Sequence, residues 1–194
     1  MEGCQVYAKA VERATQGERT ISMDELTGVQ ALERKYPDLP MLPGHVLRRE
    51  FEYIRHGTLS WFINFDVVSG QVIKPTSGPT RNGEDALAHL QRLIASDPHA
   101  KKWHIILDNL NIHQSEALVR WAAEREGIDQ KMLGVKGKSG ILRSMESRAT
   151  FLHDSTHQVV FYYTPKHASW MNQVEIWLSI RVAQAAQTGQ FHLA

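Results

Sequence analysis

Apolar residues recur with a period of about 3.6 in some stretches of this chain and about 2 in others, which predicts helices and half-buried strands respectively. The predicted order is helix, four strands, helix, strand, helix, a long insertion, strand and helix. The helices are expected near residues 5–16, 82–96 and 115–126 and from Ser169 onwards. The simplest packing of this order is a mixed α/β sheet flanked by helices.

The strand pattern places acidic residues at strand ends. Residues 19–25 are predicted to form a strand that stops at its acidic residues. The stretch 51–65 alternates apolar and polar residues, with turns expected at His56-Gly57 and Ser69-Gly70. A mostly apolar run leads straight into Asp108 and predicts a strand buried on both faces. Open α/β sheets bind ligands at the carboxyl ends of such strands, although an aspartate there can also simply cap a turn.

Composition narrows the possible classes of protein. The chain has 194 residues, which fits one domain, and its formal net charge is +1, so overall charge does not predict a nucleic-acid binder. The single cysteine, Cys4, excludes an internal disulfide and fits a reducing compartment. No apolar run approaches the roughly 18 residues of a membrane span. A cytoplasmic protein is therefore expected.

Three carboxylates are the candidate site residues: Asp24 and Asp108 at strand ends, and Glu175 in the last helix. Glu175 shares its helical stripe with apolar residues, among them Leu178. A buried carboxylate is costly unless it is paired, so it points outward, meets an arginine such as Arg181, or binds a cation shared with the other acids. Two divalent cations held by carboxylates can promote phosphoryl transfer.

Four motifs resemble the DDE transposases of bacterial insertion sequences related to mariner. They are SMDE at 22–25, REFEYIRHGT at 49–58, LDNLNIH at 107–113 and YTPKHASWMNQVE at 163–175, and the similarity covers roughly residues 4–180. The resemblance implies a ribonuclease-H-like fold and a strand-transfer site holding two Mg²⁺ or Mn²⁺ ions. Asp24, Asp108 and Glu175 would be the acidic triad and the metal ligands. Glu25 ranks below Asp24, because neighbouring strand residues point to opposite faces.

Residues outside the triad are predicted to assist. The stretch between Asp108 and Glu175 is longer than in mariner elements and contains a basic insertion at 131–148, whose cations are Lys131, Lys136, Lys138, Arg143 and Arg148. The insertion is either a solvated loop or a contact to the DNA backbone. The predicted DNA-binding residues are Lys136, Lys138, Arg143, Lys166 and His167, and the predicted supporting residues are Asn109, His113 and Asn172.

The resemblance also sets expectations for the whole protein. We expect a single catalytic domain over residues 1–194 that lacks the family's N-terminal helix-turn-helix. Its partners would be the element ends and target DNA, with a homodimer in the full-length protein and a nucleoid-associated location when bound. Two alternatives stay open: a non-catalytic transposase remnant that only folds or binds DNA, and a ribonuclease-H-like nuclease without transposition.

Overall fold

The computed structural model describes residues 2–165 and 168–188. The helices in these ranges are α1 (Glu2–Ala8), α2 (Ala10–Thr15), α3 (Gly83–Ala95), α4 (Glu116–Arg125), α5 (Met145–Leu152) and α6 (Gln173–Thr188). The strands are β1 (Glu18–Arg34), β2 (Tyr53–Asp66), β3 (Gln71–Gly78), β4 (Lys102–Leu107) and β5 (Val159–Tyr163). No helix within the described ranges is both long and apolar enough to span a membrane.

The five strands form one mixed sheet in the order β3-β2-β1-β4-β5. Strand β2 runs antiparallel to both β1 and β3, whereas β4 is parallel to β1 and β5 is parallel to β4. This mixed sheet flanked by helices confirms the predicted ribonuclease-H-like fold class. The two parallel pairings bring the carboxyl ends of β4 and β5 beside the part of β1 that follows Ser22.

The two faces of the sheet are covered by different helices. The larger core includes Ile21 and Met23 of β1 and packs under α3, α4 and α5. The smaller core lies under α6, where Val174 and Leu178 pack on Ile63 of β2. Because side chains alternate along a strand, Ser22 and Asp24 point away from this larger core and face α6. Asp24 therefore belongs to the α6 face.

Two details of the strand prediction are wrong. β1 does not stop at its acidic residues but runs on to Arg34, because it keeps pairing with β2 after its pairing with β4 has ended. His56-Gly57 is not a turn: β2 passes through it, and the register there shifts from Gln30 opposite Thr58 to Leu32 opposite Arg55. Gly57 has a φ of +110°, which suits a bulge within a strand. Three strands, not four, therefore precede α3.

The basic insertion is built around an arginine that is not available to DNA. Arg148 is buried, and its guanidinium donates to the carbonyl oxygens of Gln114 (2.6 Å) and Leu142 (3.3 Å). It ties α5 to the segment that follows Asp108. Counting Arg148 among the surface cations of the insertion was wrong, whereas Arg143 is exposed.

Arg148→Ala should therefore destabilise the fold by about 2–4 kcal/mol, because it removes charged hydrogen bonds and leaves buried carbonyls unpaired. Arg143→Ala is the matched control and should stay within about 0.5 kcal/mol of the parent. Urea unfolding followed by circular dichroism measures both. Equal effects of the two substitutions would contradict the assignment of Arg148 to the core.

Candidate active site

Asp24 and Asp108 lie just past the point where the parallel pairing of β1 with β4 ends, here called the open end of the central strands, although β1 itself continues to Arg34. The parallel ladder between β1 and β4 ends with Ser22 opposite Ile106, so each aspartate follows two residues after the last pair. Two residues are one strand period, which directs both side chains to the face of Ser22 and Ile106. The two aspartates thus lie on neighbouring segments of the sheet, while their catalytic role stays a prediction.

The start of α6 is fastened to β1 by Asn172, a predicted supporting residue. Its side-chain amide donates to the Met23 carbonyl oxygen (3.0 Å) and to Asp24 Oδ2 (3.3 Å). The Ser22 hydroxyl donates to Asn172 Oδ1 and accepts from the Val174 N–H at 3.0 Å. This buried network sets the beginning of α6 directly against Asp24.

Burial is the main reason that the pKa of Asp24 is raised to about 7. The backbone N–H of Glu25, 2.7 Å from Asp24 Oδ1, lowers the pKa, but the negative charges of Glu175 and Asp108 raise it. A hydrogen bond with the Glu175 side chain also favours the protonated form. The three predicted triad residues therefore act on one another electrostatically, and near neutral pH Asp24 is poised between its two protonation states.

Asp108 is less buried, with 28% of its side chain exposed. Burial raises its pKa, and the charges of Glu25 and Glu175 act in the same direction. The Leu110 N–H, 3.0 Å from Asp108 Oδ1, and the nearby His113 lower it. The neighbouring carboxylates therefore raise the pKa of Asp108, while the Leu110 N–H and His113 lower it.

Hydrogen bonds to the neighbouring strand fix the segment after Asp108. The side-chain amide of Asn109 donates to the Thr164 carbonyl oxygen, which joins the ends of β4 and β5. The Tyr163 hydroxyl donates to the carbonyl oxygen of His113 at 3.0 Å. Asn109 and His113, both predicted as supporting residues, therefore hold the chain on which Asp108 is mounted.

Glu25 is buried next to the candidate site, where His113 lies between it and Asp108. It does lie on the opposite face from Asp24, but its side chain is only 1% exposed, and Oε1 lies 2.9 Å from Nε2 of His113. The same ring nitrogen is 3.3 Å from Asp108 Oδ1. The sequence does contain a sign of this burial: Glu25 follows Asp24 directly, at a strand position that faces the core.

The predicted DNA-binding residues are only partly placed. Lys136, Lys138 and Arg143 are exposed. The Lys136 amine lies 4.0 Å from a carboxylate oxygen of Glu116, the first residue of α4, so this loop reaches the segment that follows Asp108. Lys166 and His167 lie outside the described residues.

The carboxylates of Asp24, Asp108 and Glu175 are candidate ligands for a divalent cation. Within residues 2–165 and 168–188, no three His, Cys, Asp or Glu side chains already have the arrangement of a metal site. The donor chemistry does suit Mg²⁺ or Mn²⁺, because both prefer carboxylate oxygens. A cation would also offset the repulsion that raises the pKa of Asp24. Asp24, Asp108 and Glu175 therefore fit a hard divalent cation.

The sheet order defines a ribonuclease-H-like domain, and the sequence assigns it to a family. The chain belongs to the DDE superfamily endonucleases, whose family model matches residues 19–192. The match confirms the predicted resemblance and includes all three predicted acids. No curated protein of similar sequence was found.

The solved structures that match this chain include a mariner paired end complex and a viral intasome. The Mos1 mariner paired end complex with Mn is 15% identical, with a TM-score of 0.40, and the match covers 92% of this chain and 53% of that one. A simian T-cell lymphotropic virus intasome in complex with the PP2A regulatory subunit B56 gamma is 12% identical, with a TM-score of 0.46, and the match covers 88% and 41%. This chain thus spans about half the length of those proteins.

The raised pKa of Asp24 predicts a pH dependence of stability in chelator. The folded state holds a proton that the unfolded chain releases near the ordinary value of 3.8, so the free energy of unfolding should fall as pH rises from about 4 to about 7. Asp24→Asn removes this contribution, so the variant should gain stability relative to the parent across that window. Urea unfolding at a series of pH values measures the difference. A parent–variant difference that is constant from pH 4 to 8 would contradict the assignment.

Proposed function

We propose that this chain is the catalytic domain of a DNA transposase, which cuts DNA and joins it to a target with Mg²⁺ or Mn²⁺ held by Asp24, Asp108 and Glu175. One observation carries the proposal: burial and the charges of Glu175 and Asp108 raise the pKa of Asp24 at the open end of the central strands. Family membership supports the same chemistry. Membership of the family makes the chain a DDE superfamily endonuclease. Transposition with two bound metal ions is the further step that we propose.

In such a reaction some side chains would bind the cations and others would orient the cation ligands. Divalent cations bound by the three acids would activate the attacking oxygen and stabilise the leaving oxygen of a phosphodiester. Asn172 orients Asp24 through the 3.3 Å hydrogen bond to Oδ2, and the Leu110 N–H orients Asp108. Because these donors are fixed by the ends of β1 and β4, the oxygen ligands are held in place before DNA arrives.

DNA is the partner that the proposal requires. Lys136, Lys138 and Arg143 offer exposed positive charges on the insertion, and such charges bind phosphates without reading sequence. A homodimer, contacts from Lys166 and His167, and a cytoplasmic, nucleoid-associated location belong to the same proposal.

The metal-site proposal is tested by thermal melts of the parent and Glu175→Gln, in chelator and in Mn²⁺. A ligand that binds only the folded state stabilises it, by about 2.7 kcal/mol at a concentration 100 times its Kd. The parent should gain several degrees in Tm with Mn²⁺. Glu175→Gln relieves carboxylate repulsion, so it should be at least as stable as the parent in chelator, lose most of the gain from Mn²⁺, and fail to nick plasmid DNA.

The competing account pairs Glu175 with an arginine. It predicts that Glu175→Gln destabilises the protein in chelator and leaves the response to Mn²⁺ unchanged. Arg181 lies with its guanidinium 5.6 Å from the centre of the Trp177 ring, which makes it the arginine to test. A parent that shows no response to Mn²⁺ would leave the non-catalytic remnant as the better reading.

DNA binding is tested by its salt dependence. Lys136→Ala/Lys138→Ala should weaken binding to duplexes of any sequence and flatten the slope of log K against log salt by up to about 2, because each phosphate contact contributes about 0.9. Lys9→Ala/Lys101→Ala is the matched control: both lysines are exposed, and Lys101 precedes β4, at the opposite end from Asp108. Fluorescence anisotropy measures the slopes. Equal slopes for parent and both variants would remove the insertion from the DNA interface.

A further inference from the structure

Glu25 and His113 form a buried pair behind the acidic site. Both side chains are 1% exposed, and Nε2 of His113 lies 2.9 Å from Glu25 Oε1. The same nitrogen lies 3.3 Å from Oδ1 of Asp108. The imidazole therefore stands between a carboxylate of the α3–α4 face and one of the predicted metal ligands.

This pair is poorly satisfied. Among the described residues, no group makes a well-aligned hydrogen bond with either carboxylate oxygen of Glu25. The same is true of Nε2 of His113. A buried polar group without such a partner costs about 1–3 kcal/mol. Native structures have few of these groups, and each one calls for a physical reason. Stability alone does not supply it here, because an apolar residue at position 25 would avoid the cost.

The available donors suggest the reason. Carboxylate oxygens only accept hydrogen bonds, so Nε2 faces Glu25 and Asp108 as a donor, and its single N–H can align with one of them. Oδ1 of Asp108 already accepts the Leu110 N–H at 3.0 Å. A second bond from His113 would occupy the remaining lone pair of that oxygen. Glu25, the nearer acceptor, competes for the same N–H.

The main chain of His113 is fixed, so the ring responds chiefly to its acceptors. The His113 N–H donates to the Leu110 carbonyl oxygen, and the His113 carbonyl oxygen accepts from the Tyr163 hydroxyl, both at 3.0 Å. The ring therefore turns about its side-chain bonds rather than moving away. Its direction depends on which carboxylate holds the N–H.

We propose that Glu25 is a positioning residue: its carboxylate attracts the Nε2–H of His113 away from Asp108 and thereby leaves the remaining lone pair of Asp108 Oδ1 available to a divalent cation. This inference rests on the proposed metal site. It assigns Glu25 a role through His113 rather than as a fourth ligand. Groups that orient metal ligands in this way change metal affinity by about 10–100-fold when they are removed.

A second histidine–glutamate pair, at the other end of the β1–β4 pairing, provides the control. Nε2 of His104 lies 2.7 Å from Glu18 Oε2, where β1 and β4 begin. Glu25→Gln and Glu18→Gln each remove one buried or half-buried charge from a histidine. Mn²⁺ affinity is measured by electron paramagnetic resonance of the free ion, which needs neither DNA nor activity. We expect Glu25→Gln to weaken binding about 10-fold or more and Glu18→Gln to leave it unchanged.

Two further variants separate positioning from a simple effect of charge. Glu25→Asp keeps the charge but shortens its reach to Nε2, so it should also weaken Mn²⁺ binding, whereas a pure charge effect predicts the parent's affinity. In a His113→Gln background, Glu25→Gln should add little, because residues that act as a unit are not additive. The same loss without the imidazole would make Glu25 a direct partner of the cation and overturn the inference.

The outcomes distinguish the inference from the proposed function. A parent that does not bind Mn²⁺ refutes the metal site, and the role of Glu25 with it. A parent that binds Mn²⁺, together with a Glu25→Gln variant of equal affinity, refutes only the role of Glu25. Thermal melts in chelator confirm that each variant is folded before its affinity is compared.

Discussion

Like-charged carboxylates that lie close together where two parallel strands cease to pair repel each other, and burial makes the repulsion stronger because there is less water to screen it. The open end of this sheet is built around that constraint. Asp24 carries the clearest consequence, a pKa raised to about 7 by burial and by the charges of Glu175 and Asp108. The donors around the site, among them Asn172 and the Leu110 N–H, reduce the cost without removing it. The proposed divalent cation would offset the repulsion that remains.

The same constraint explains how distant parts of the chain depend on one another. Asn172 spans about 150 residues of sequence to bond with β1, and the Ser22 hydroxyl receives the N–H of Val174. These bonds would be of little use if α6 did not already pack on the sheet through Val174 and Leu178. The apolar contacts set the position of the helix, and the polar network turns that position into a defined orientation of Asp24. Fold and site are therefore stabilised by one set of contacts on the α6 face.

Much of this could be predicted from sequence, because Asp108 follows an apolar run and Asp24 follows a β-branched one, and parallel pairing then brings their ends together. The errors arose where local signals have two meanings. A glycine with a positive φ occurs in bulges as well as in turns, so the turn predicted at His56-Gly57 was in fact a bulge within β2. Strand alternation put Glu25 on the far face correctly, but it could not reveal that His113 returns to bridge Glu25 and Asp108. Arg148 was counted as a surface cation because burial of an arginine depends on distant carbonyl partners.

The proposed metal-dependent cleavage of DNA requires that Asp24, Asp108 and Glu175 hold the same cations. The most direct measurement is an anomalous difference map from crystals of the protein grown with Mn²⁺. The account predicts strong peaks at the open end of β1 and β4, within coordination distance of oxygens from all three residues, that vanish when Asp108 is replaced by Asn. Strong peaks elsewhere on the molecule, or none at Mn²⁺ concentrations that saturate known carboxylate sites, would contradict it.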